Sequence, residues 1–444
     1  MNKKMRLVII GGGMAGSACL EEIACLDPER YEITVFGAER HPNYNRVLLA
    51  QVLTGEKSID EITLLDRDWY ESRGVRLLTG AMVTSIDRVS RKVVCADGAE
   101  EPYDRLILAT GALPVIPPIT GADKEGVVAF RNIADCERIK GVFGGAPEPR
   151  KAVVIGGGLL GLEAAWSLKT LGADVTVVHL ASRLMERQLD EAAAGLLKED
   201  MEALGIEVRL GTETVEITGG ERVEGLRFSD GETAAADLVI MSVGIRPNAE
   251  LARAAGIYCE KGVLVGDTMQ TYDPAVYAIG ECVQHRGETF GLVAPIFEQA
   301  RVLADHMAGK GRLSFKNSPV PARLKVPGVE LYSAGRVTSA DGFDSIEYMD
   351  RGSGVYKKVL LRDNHVAGIV MYGDTSGSTE LYDSMVRGED VSTRRRTLLF
   401  GRGAGEGGAP SVDDIPDGAI ICGCKGVTKK TIIDAITSKG LFTR

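Results

Sequence analysis

Two stretches of the chain share one pattern of apolar and small residues. Residues 7–24 (LVIIGGGMAGSACLEEIA) are matched by residues 152–169 (AVVIGGGLLGLEAAWSLK). Each stretch predicts an apolar strand, a glycine turn and a helix with apolar residues at helical spacing. A second apolar strand follows each one, at 33–37 and at 174–180. The pattern therefore predicts two βαβ units and an α/β fold.

Both turns carry the spacing Gly-x-Gly-x-x-Gly between a strand and a helix. The glycines are Gly11, Gly13 and Gly16 in the first copy and Gly156, Gly158 and Gly161 in the second. The first glycine forms the bend, the second lets the backbone approach a pyrophosphate, and the third lets the helix pack closely. Glu39, just past the second strand, is the carboxylate expected on the ribose hydroxyls; a solvated loop acid is the alternative. The sequence thus predicts two Rossmann-like dinucleotide-binding domains.

The remainder of the chain predicts a third domain and a short tail. Residues 356–374 predict two strands around an Asp363-Asn364 turn, followed by a helix from Ser378. Residues 401–410 (GRGAGEGGAP) are too poor in apolar bulk to pack and predict a flexible linker. The predicted divisions are 1–118 and 246–312 for a discontinuous first domain, 119–245 for the inserted second domain, 313–400 for a C-terminal α+β domain, 401–418 for the linker and 419–444 for a truncated tail.

Composition argues against several classes of protein. The apolar and charged fractions of 44% and 26% are typical of a soluble globular protein, and no run of about 18 apolar residues is present to span a membrane. The net charge of -10 is spread along the chain, which argues against nucleic acid and anionic lipid as partners. The first six of the eight cysteines lack the spacing of a disulfide scaffold or zinc site, as expected for core thiols in a reducing cytoplasm. The oligomeric state, a homodimer included, stays open.

Two further motifs give the first site a family resemblance. They are the ATG motif at 109–111 and the YAIGE motif at 277–281. Together with both glycine turns they resemble the contact motifs of the pyridine nucleotide-disulfide oxidoreductase superfamily. The resemblance implies that the first domain binds FAD, although Glu281 stands where the superfamily usually has Asp. The residues expected to contact FAD are Gly11, Gly13, Met14, Ala15, Gly16, Glu39, Arg46, Val83, Ala109, Thr110, Gly111, Gly280 and Glu281.

The same resemblance implies that the second site binds NAD(P)H. Glu163 occupies the position that in related reductases lies near the nicotinamide and the flavin, and it is the candidate catalytic residue; an acid favoured by the helix dipole is the alternative. Where an NAD enzyme carries an acid after the second strand, this chain has His179 and then Arg183. Since a carboxylate repels a 2′-phosphate and Arg attracts one, dual use of NADH and NADPH stays open, with NADH favoured. The residues expected at this site are Gly156, Gly158, Leu159, Leu160, Gly161, Glu163, His179, Arg183 and Gly244.

The cysteines and one short motif concern the electron acceptor. Disulfide reductases need a reactive cysteine pair beside the flavin, whereas Cys19 and Cys25 fall on different faces of the predicted first helix. The Tyr-x-Arg-x-x-Leu motif at 44–49 instead resembles reductases that pass electrons to iron proteins, in which the arginine, here Arg46, helps to hold the flavin phosphates. Many of those have a lysine where this chain has Gln51, a departure from generic rubredoxin and ferredoxin reductases.

The last two cysteines stand in a different setting. Cys422 and Cys424 form a C-x-C turn before a predicted helix. This resembles the start of the ferredoxin-like [2Fe-2S] module in assimilatory NAD(P)H-nitrite reductase large subunits, and the resemblance extends to 184–190 and 280–295. A cluster needs four ligands and no C-x-x-C follows, so we expect a truncated chain whose cluster forms only in the full-length protein. Two ordinary loop cysteines are the alternative.

These features predict an FAD-dependent NAD(P)H oxidoreductase that passes electrons singly to an iron–sulfur or sirohaem acceptor, in a further C-terminal part or a separate subunit. The resemblance implies the electron-input part of a nitrite reductase in nitrogen assimilation. Nitrite chemistry is not expected in this chain, because the cysteines for a sirohaem and [4Fe-4S] half are absent. Two alternatives stay open: a stand-alone NADH:rubredoxin or ferredoxin reductase, and a non-catalytic FAD-binding regulatory protein.

Overall fold

The computed structural model describes residues 4–143, 150–339, 341–400, 417–418, 420–422 and 427–439. The predicted linker at 401–410, the residue Cys424 and the side chain of Cys422 lie outside the described residues. Two parallel sheets, each of five strands, form the framework of the described part. The predicted α/β class with two dinucleotide-binding sheets is therefore confirmed.

The first sheet grows from the first βαβ unit. Its strand β1 is parallel to β2 on one side and to β7 on the other, and the apolar residues of these strands are buried beneath helices. The elements of this part are β1 (Met5–Ile10), α1 (Met14–Leu26), β2 (Tyr31–Gly37), α2 (Leu49–Thr54), α3 (Ile59–Ile62), α4 (Arg67–Ser72), β3 (Arg76–Thr79), β4 (Val83–Asp87), β5 (Lys92–Cys95), β6 (Glu100–Pro102), β7 (Arg105–Leu108) and β8 (Ala112–Pro114). Strands β4, β5 and β6 form a separate antiparallel sheet.

The second sheet repeats this arrangement. Its parallel strands follow the order β12-β11-β10-β16-β9, so the second βαβ unit lies at its centre. The elements are β9 (Val127–Ala129), α5 (Ile133–Phe143), β10 (Lys151–Ile155), α6 (Leu159–Thr170), β11 (Asp174–Val178), α7 (Glu191–Ala203), β12 (Ile206–Arg209), β13 (Thr214–Thr218), β14 (Gly225–Phe228), β15 (Thr233–Ala235) and β16 (Leu238–Met241). Strand β11 ends before His179, two residues earlier than the sequence pattern predicts, because the chain turns there into a loop.

The chain then returns to the first sheet. The elements of the return are β17 (Ile245–Pro247), α8 (Glu250–Ala254), β18 (Val263–Leu264), β19 (Val276–Ala278), β20 (Val283–His285), β21 (Glu288–Thr289) and α9 (Ala294–Met307). Strand β17 pairs antiparallel with β8, so the chain leaves and re-enters the first unit at adjacent points. Strand β19 completes the first sheet in the order β19-β7-β1-β2-β3, and α9 packs on α1.

A third unit and a tail follow. The third unit is a four-stranded antiparallel sheet with one helix, built from β22 (Leu331–Gly335), β23 (Asp344–Asp350), β24 (Val355–Arg362), β25 (His365–Tyr372) and α10 (Ser378–Arg387). The predicted hairpin is confirmed: Arg362 pairs with His365 across Asp363 and Asn364, which have φ of 50° and 60°. The predicted helix start at Ser378 is also confirmed. The described tail comprises β26 (Ile420–Cys422), β27 (Val427–Thr428) and α11 (Lys429–Lys439).

A buried polar cluster joins the third unit to the second. The carboxylate of Asp190 caps α7 by accepting from the backbone N–H of Ala193 at 3.2 Å. Its other oxygen accepts from the hydroxyl of Tyr356 at 2.8 Å and from Nζ of Lys358 at 2.9 Å, both on β24. Burial, followed by the Asp190 carboxylate, raises the pKa of Tyr356 well above its ordinary value. One carboxylate therefore serves a helix and a neighbouring domain at once.

Replacing Asp190 tests this junction. We expect Asp190→Ala to lower the free energy of unfolding by about 3 kcal/mol, because it leaves the Lys358 ammonium buried without this partner and removes a helix cap. The matched control is Asp66→Ala: Asp66 caps α4 by accepting from Trp69 N at 2.8 Å but is exposed, so only about 1 kcal/mol is expected. Urea denaturation of the FAD-loaded variants measures both losses. Equal losses in the two variants would contradict a special role for Asp190.

Candidate functional site

The two glycine turns have the same backbone conformation. Gly11 and Gly156 both have φ of +121°, a value that L residues with a side chain rarely adopt. A Cβ added to Gly11 would lie 2.0 Å from the carbonyl oxygen of Ala109, just after β7. A Cβ added to Gly156 would lie 2.1 Å from that of Ser242, just after β16. Each turn thus crosses the neighbouring strand at a distance that only glycine permits.

The other glycines of each turn divide two tasks. Gly16 and Gly161 let the helices approach, since an added Cβ would lie 2.1 and 2.0 Å from the carbonyl oxygen of the first glycine of the same turn. Gly13 and Gly158 stand at the N-caps of α1 and α6, and a Cβ there would meet nothing within 4 Å. Neither helix has a side-chain cap or an acidic residue in its first turn. The free N–H groups of both helices fit the pyrophosphates of FAD and NAD(P)H.

Glu39 lies beyond the end of β2 within a polar cluster. Its carboxylate accepts from the hydroxyl of Tyr44 at 2.7 Å and pairs with the guanidinium of Arg46. Nη1 of Arg46 donates to the carbonyl oxygen of Arg131 at 3.0 Å. Burial raises the pKa of Tyr44 well above its ordinary value, so the phenol stays a donor. Glu39 and Arg46, predicted separately as ribose and phosphate contacts, therefore form one ion pair at the edge of the first sheet.

Arg131 joins the inserted domain to the first domain, and the sequence reasoning missed it. It lies between β9 and α5, and its guanidinium pairs with the carboxylate of Glu281 in the turn after β19. The two side chains are only 16% and 15% exposed. A Cβ added to Gly111 would lie 4.0 Å from Nη2 of Arg131. An arginine directly after a short apolar strand was the available signal, but its partner is 150 residues away in the sequence.

The remaining residues predicted for the FAD site have structural partners of their own. The hydroxyl of Thr110 donates to the carbonyl oxygen of Asn248 at 2.6 Å, which holds the returning chain. Gly280 donates its N–H to Oε1 of Gln299 at 2.7 Å and packs against Ala15, since an added Cβ would lie 2.7 Å from Cβ of Ala15. Other predicted residues line the cleft described below: Met14, Val83, Ala109 and Gly111.

Glu163 lies on α6 where all three units meet. It is 8% exposed, and its Oε1 accepts from the backbone N–H of Lys325, in the segment before β22, at 3.2 Å. Nζ of Lys325 donates to the carbonyl oxygen of Val47, in the first unit, at 3.2 Å. Burial raises the pKa of Glu163, and the positive charge of Lys325 opposes that rise. The third unit therefore supplies the neighbour of the candidate catalytic carboxylate.

The residues at the predicted NADH/NADPH specificity position are arranged differently from the expectation. His179 accepts from the N–H of Gly157 at its Nδ1, at 3.1 Å, and contacts the carboxylate of Glu186 through Nε2 at 3.0 Å. Arg183 donates to the carbonyl oxygens of Leu189 and Glu186, each at 3.2 Å. Its guanidinium thus holds its own loop together. A carboxylate that the sequence reasoning missed, Glu186, stands beside His179 instead.

Most of the predicted residues converge on one continuous cleft of about 4510 Å³. Both open glycines, Gly13 and Gly158, line it, as do Glu163, Leu159 and Gly244, the last with φ of +116°. Further lining residues are Glu39, Arg46, His179, Leu160 and Glu281. Four predicted residues do not line it and serve the packing behind it, namely Gly16, Gly161, Arg183 and Gly280.

The described cysteines form neither disulfides nor a metal site. All six cysteines whose side chains the structure describes are free. Burial raises the pKa of Cys136 to about 12 and also raises the pKa of Cys19 and Cys282. Within the described ranges no group of three or more His, Cys, Asp or Glu side chains is placed to hold a metal ion. The helices in that part of the chain are also too short or too polar to cross a bilayer.

The family model for pyridine nucleotide-disulphide oxidoreductases matches residues 5–301. The chain belongs to this family. A second model, for the rubredoxin NAD+ reductase C-terminal domain, matches residues 319–389. Family membership makes the chain an NAD(P)H oxidoreductase with FAD and NAD(P)H as its cofactors.

Family members of known name and structure cover nearly the whole chain. An NAD(P)H nitrite reductase of Bacillus subtilis is 46% identical over 98% of this chain and 54% of its own length. An assimilatory nitrate reductase electron transfer subunit of the same organism is 43% identical over 99% of this chain and 56% of its own length, so the chain spans about half of each relative. An NAD-dependent persulfide reductase from A. fulgidus matches with a TM-score of 0.80 and 26% identity over 99% of this chain and 84% of that one. Putidaredoxin reductase in its complex with putidaredoxin matches with a TM-score of 0.79 and 25% identity, over 87% and 94%.

The paired turns of this family member allow a matched test. An alanine at φ near +121° costs about 1–2 kcal/mol, before the clash with the carbonyl oxygen, which corresponds to roughly tenfold or more in binding. We expect Gly11→Ala to be purified with little FAD. Gly156→Ala should retain FAD but should need roughly tenfold more NADH for half-maximal flavin reduction. Absorbance of bound flavin and rapid-mixing titration measure the two effects.

The control for this pair is Gly220→Ala, because Gly220 is exposed and a Cβ there would meet nothing within 4 Å. It should change neither FAD content nor the NADH requirement. Loss of FAD in Gly156→Ala, with normal FAD in Gly11→Ala, would reverse the assignment of the two sites.

The raised pKa of Glu163 predicts a dependence of stability on pH. Because the folded-state pKa lies above the ordinary 4.5, the folded protein favours the protonated acid, and this stabilisation is present below pH 4.5 and lost as pH rises through the folded pKa. Relative to Glu163→Gln, the wild type should therefore lose stability as pH rises above 4.5. Urea midpoints of both proteins at several pH values measure the difference. Lys325→Met, which removes the opposing charge and so raises the folded-state pKa further, should enlarge the decline and extend it to higher pH; a difference that is flat with pH would contradict the assignment.

Proposed function

We propose that the chain is the electron-input part of an NAD(P)H-dependent nitrite reductase. It binds FAD in its first domain and NAD(P)H in the inserted domain, and it passes electrons one at a time to an iron–sulfur centre. The observation that carries this proposal is the pair of matched glycine cradles at Gly13 and Gly158, which open on one cleft with Glu163 on its wall. The names of the two Bacillus subtilis relatives support the nitrite side. Nitrite reduction itself is proposed for a longer protein of which this chain is one part. The two relatives are each about twice as long as the part that matches this chain.

The role proposed for the chain is to position the two cofactors, which supply the redox chemistry themselves. When both cofactors are bound, NAD(P)H supplies a hydride and FAD accepts it and releases its electrons singly. The cradles at Gly13 and Gly158 would hold the two pyrophosphates at the same cleft. The Arg131–Glu281 ion pair fixes the inserted domain against the first one. The backbone N–H of Lys325 donates to Oε1 of Glu163, which holds the third unit against the wall of the cleft where the three units meet.

The contacts proposed for each cofactor are those residues expected from the sequence that line the cleft, with Arg131 and Glu186 added. Glu39 and Arg46 together form the polar wall of the FAD site. We also propose the domain limits expected from the sequence, with residues 1–118 and 246–312 as the FAD-binding domain and residues 119–245 as the NAD(P)-binding domain. The ion pairs at Glu39 and Glu281 leave carboxylate oxygens and guanidinium nitrogens in the cleft as further polar contacts.

The cysteines favour an iron–sulfur acceptor over a disulfide. A disulfide reductase needs a thiolate beside the flavin, and burial keeps Cys19, Cys136 and Cys282 protonated by raising the pKa of each. The acceptor that we propose is a [2Fe-2S] cluster held in part by Cys422 and Cys424 in the full-length protein, or an iron–sulfur or sirohaem centre in a further C-terminal part or a separate subunit. The cytoplasm is the proposed location, since scattered free thiols persist there.

A stand-alone NADH:rubredoxin reductase is the second candidate. It is favoured by the match of residues 319–389 to the rubredoxin NAD+ reductase C-terminal domain. Gln51, in place of the lysine common in rubredoxin and ferredoxin reductases, argues against it.

Rapid mixing of the FAD-loaded chain with NADH tests the proposal. We expect the flavin absorbance to bleach and then to recover on addition of a one-electron acceptor such as ferricyanide or a [2Fe-2S] ferredoxin, because none of the described residues that line the cleft is a cysteine that could divert the electrons. Nitrite added to this chain without an iron–sulfur partner should not restore the absorbance. Failure of NADH to bleach the flavin would contradict the proposal, and faster recovery with rubredoxin than with ferredoxin would favour the second candidate.

A further inference from the structure

The side chain of His179 occupies the place after β11 where a dinucleotide-binding domain commonly presents a carboxylate to the adenosine ribose. It is 12% exposed and lies against the glycine turn, since a Cβ added to Gly157 would lie 3.0 Å from its Cγ. Nδ1 accepts from the N–H of Gly157, so in the neutral ring the proton lies on Nε2. Nε2–H then donates to the carboxylate of Glu186. The imidazole therefore occupies the usual position of the carboxylate, and the negative charge lies on Glu186, which contacts the far side of the ring.

The loop that carries Glu186 is held at three points. The N–H of Met185 donates to the carbonyl oxygen of Gly157 at 2.9 Å, and Met185 has φ of +49°. Arg183 bonds two carbonyl oxygens of the loop, and Asp190 at its end is held by the third domain. Glu186 is therefore positioned before any ligand binds. Its carboxylate is 38% exposed and lines the cleft.

The charges around this position favour the adenosine ribose of NADH, which has a free 2′-hydroxyl, over that of NADPH, which carries a 2′-phosphate. Glu186 and Glu213 both line the cleft beside His179, whereas the guanidinium of Arg183 is occupied by its own loop and does not line the cleft. Arg187 is the opposing charge, since it is exposed and also lines the cleft. Among the described residues, Arg187 has no hydrogen bond or ion pair comparable to the one that fixes Glu186. A fixed carboxylate accepts hydrogen bonds from ribose hydroxyls and repels a 2′-phosphate without further ordering, whereas a solvated arginine loses side-chain entropy when it binds one.

We propose that Glu186, held by His179, contacts the adenosine ribose and makes the chain selective for NADH over NADPH. The inference rests on the proposed function, because it concerns the nucleotide of the same site. Glu186 takes the role of a residue that contacts the cofactor. His179 is a positioning residue that acts through Glu186.

Rapid-mixing rates of flavin reduction by NADH and by NADPH test the proposal, with the ratio of the two second-order rate constants as the readout. We expect the wild type to favour NADH by roughly tenfold or more. Glu186→Gln keeps the shape of the side chain and removes its charge, so the ratio should fall by roughly fivefold or more, mainly through faster reduction by NADPH. Arg187→Gln is the matched control on the adjacent residue, and it should raise the ratio or leave it unchanged.

Variants of His179 separate positioning from simple structural support. His179→Ala should lower the NADH/NADPH ratio as Glu186→Gln does, and His179→Gln, whose amide N–H can donate a hydrogen bond to Glu186, should restore part of it. A merely structural role would slow both nucleotides equally and leave the ratio unchanged. An unchanged ratio in Glu186→Gln, or a wild type that prefers NADPH, overturns the inference. In either case the proposed function still stands if NADH bleaches the flavin. Absence of bleaching in the wild type is instead a failure of the proposed function.

Discussion

The whole cofactor-binding architecture depends on two places where the backbone passes a carbonyl oxygen at a distance that excludes any side chain. Gly11 crosses the end of β7, and Gly156 crosses the end of β16, with the same dihedral angle. Because each glycine turn passes so close to the backbone of the neighbouring strand, the helix that follows starts at the strand ends and directs its free N–H groups into the cleft. The site for each dinucleotide is therefore a property of backbone geometry, and the side chains around it adjust what is bound and where.

The fold and the position of both cradles could be predicted because their signals are local. A strand, three spaced glycines and an amphipathic helix lie within about 20 residues of one another, and the turn at Asp363 and Asn364 lies between two apolar strands. The interactions that complete the site are not local. Arg131 meets Glu281, and Lys325 meets Glu163, across 150 and 162 residues of sequence. No periodicity in the sequence identifies such partners, since their proximity depends on how separate domains pack.

Glu186 shows a different reason for incomplete prediction. The sequence comparison with other dinucleotide-binding domains directs attention to the residue after the second strand, and that residue is His179. A loop that folds back through Met185 returns a carboxylate to nearly the same place. The position of Glu186 in the sequence therefore did not indicate that its carboxylate lies beside His179 in the folded protein. The third domain contributes to this result, because its strand β24 holds Asp190 at the end of the same loop.

The anchoring of that loop bears on how such a domain would be redesigned. Nucleotide-binding loops are attractive units for exchange between related enzymes, since they are short and continuous in sequence. Here the segment from Arg183 to Asp190 is tied to the glycine turn at one end and to buried groups of another domain at the other. A grafted loop without a carboxylate at its end would leave the buried Lys358 with only the more exposed Glu347 as its partner, and a recipient without the β24 tyrosine and lysine would leave the loop unanchored. The natural unit of exchange is the loop together with the strand that secures it.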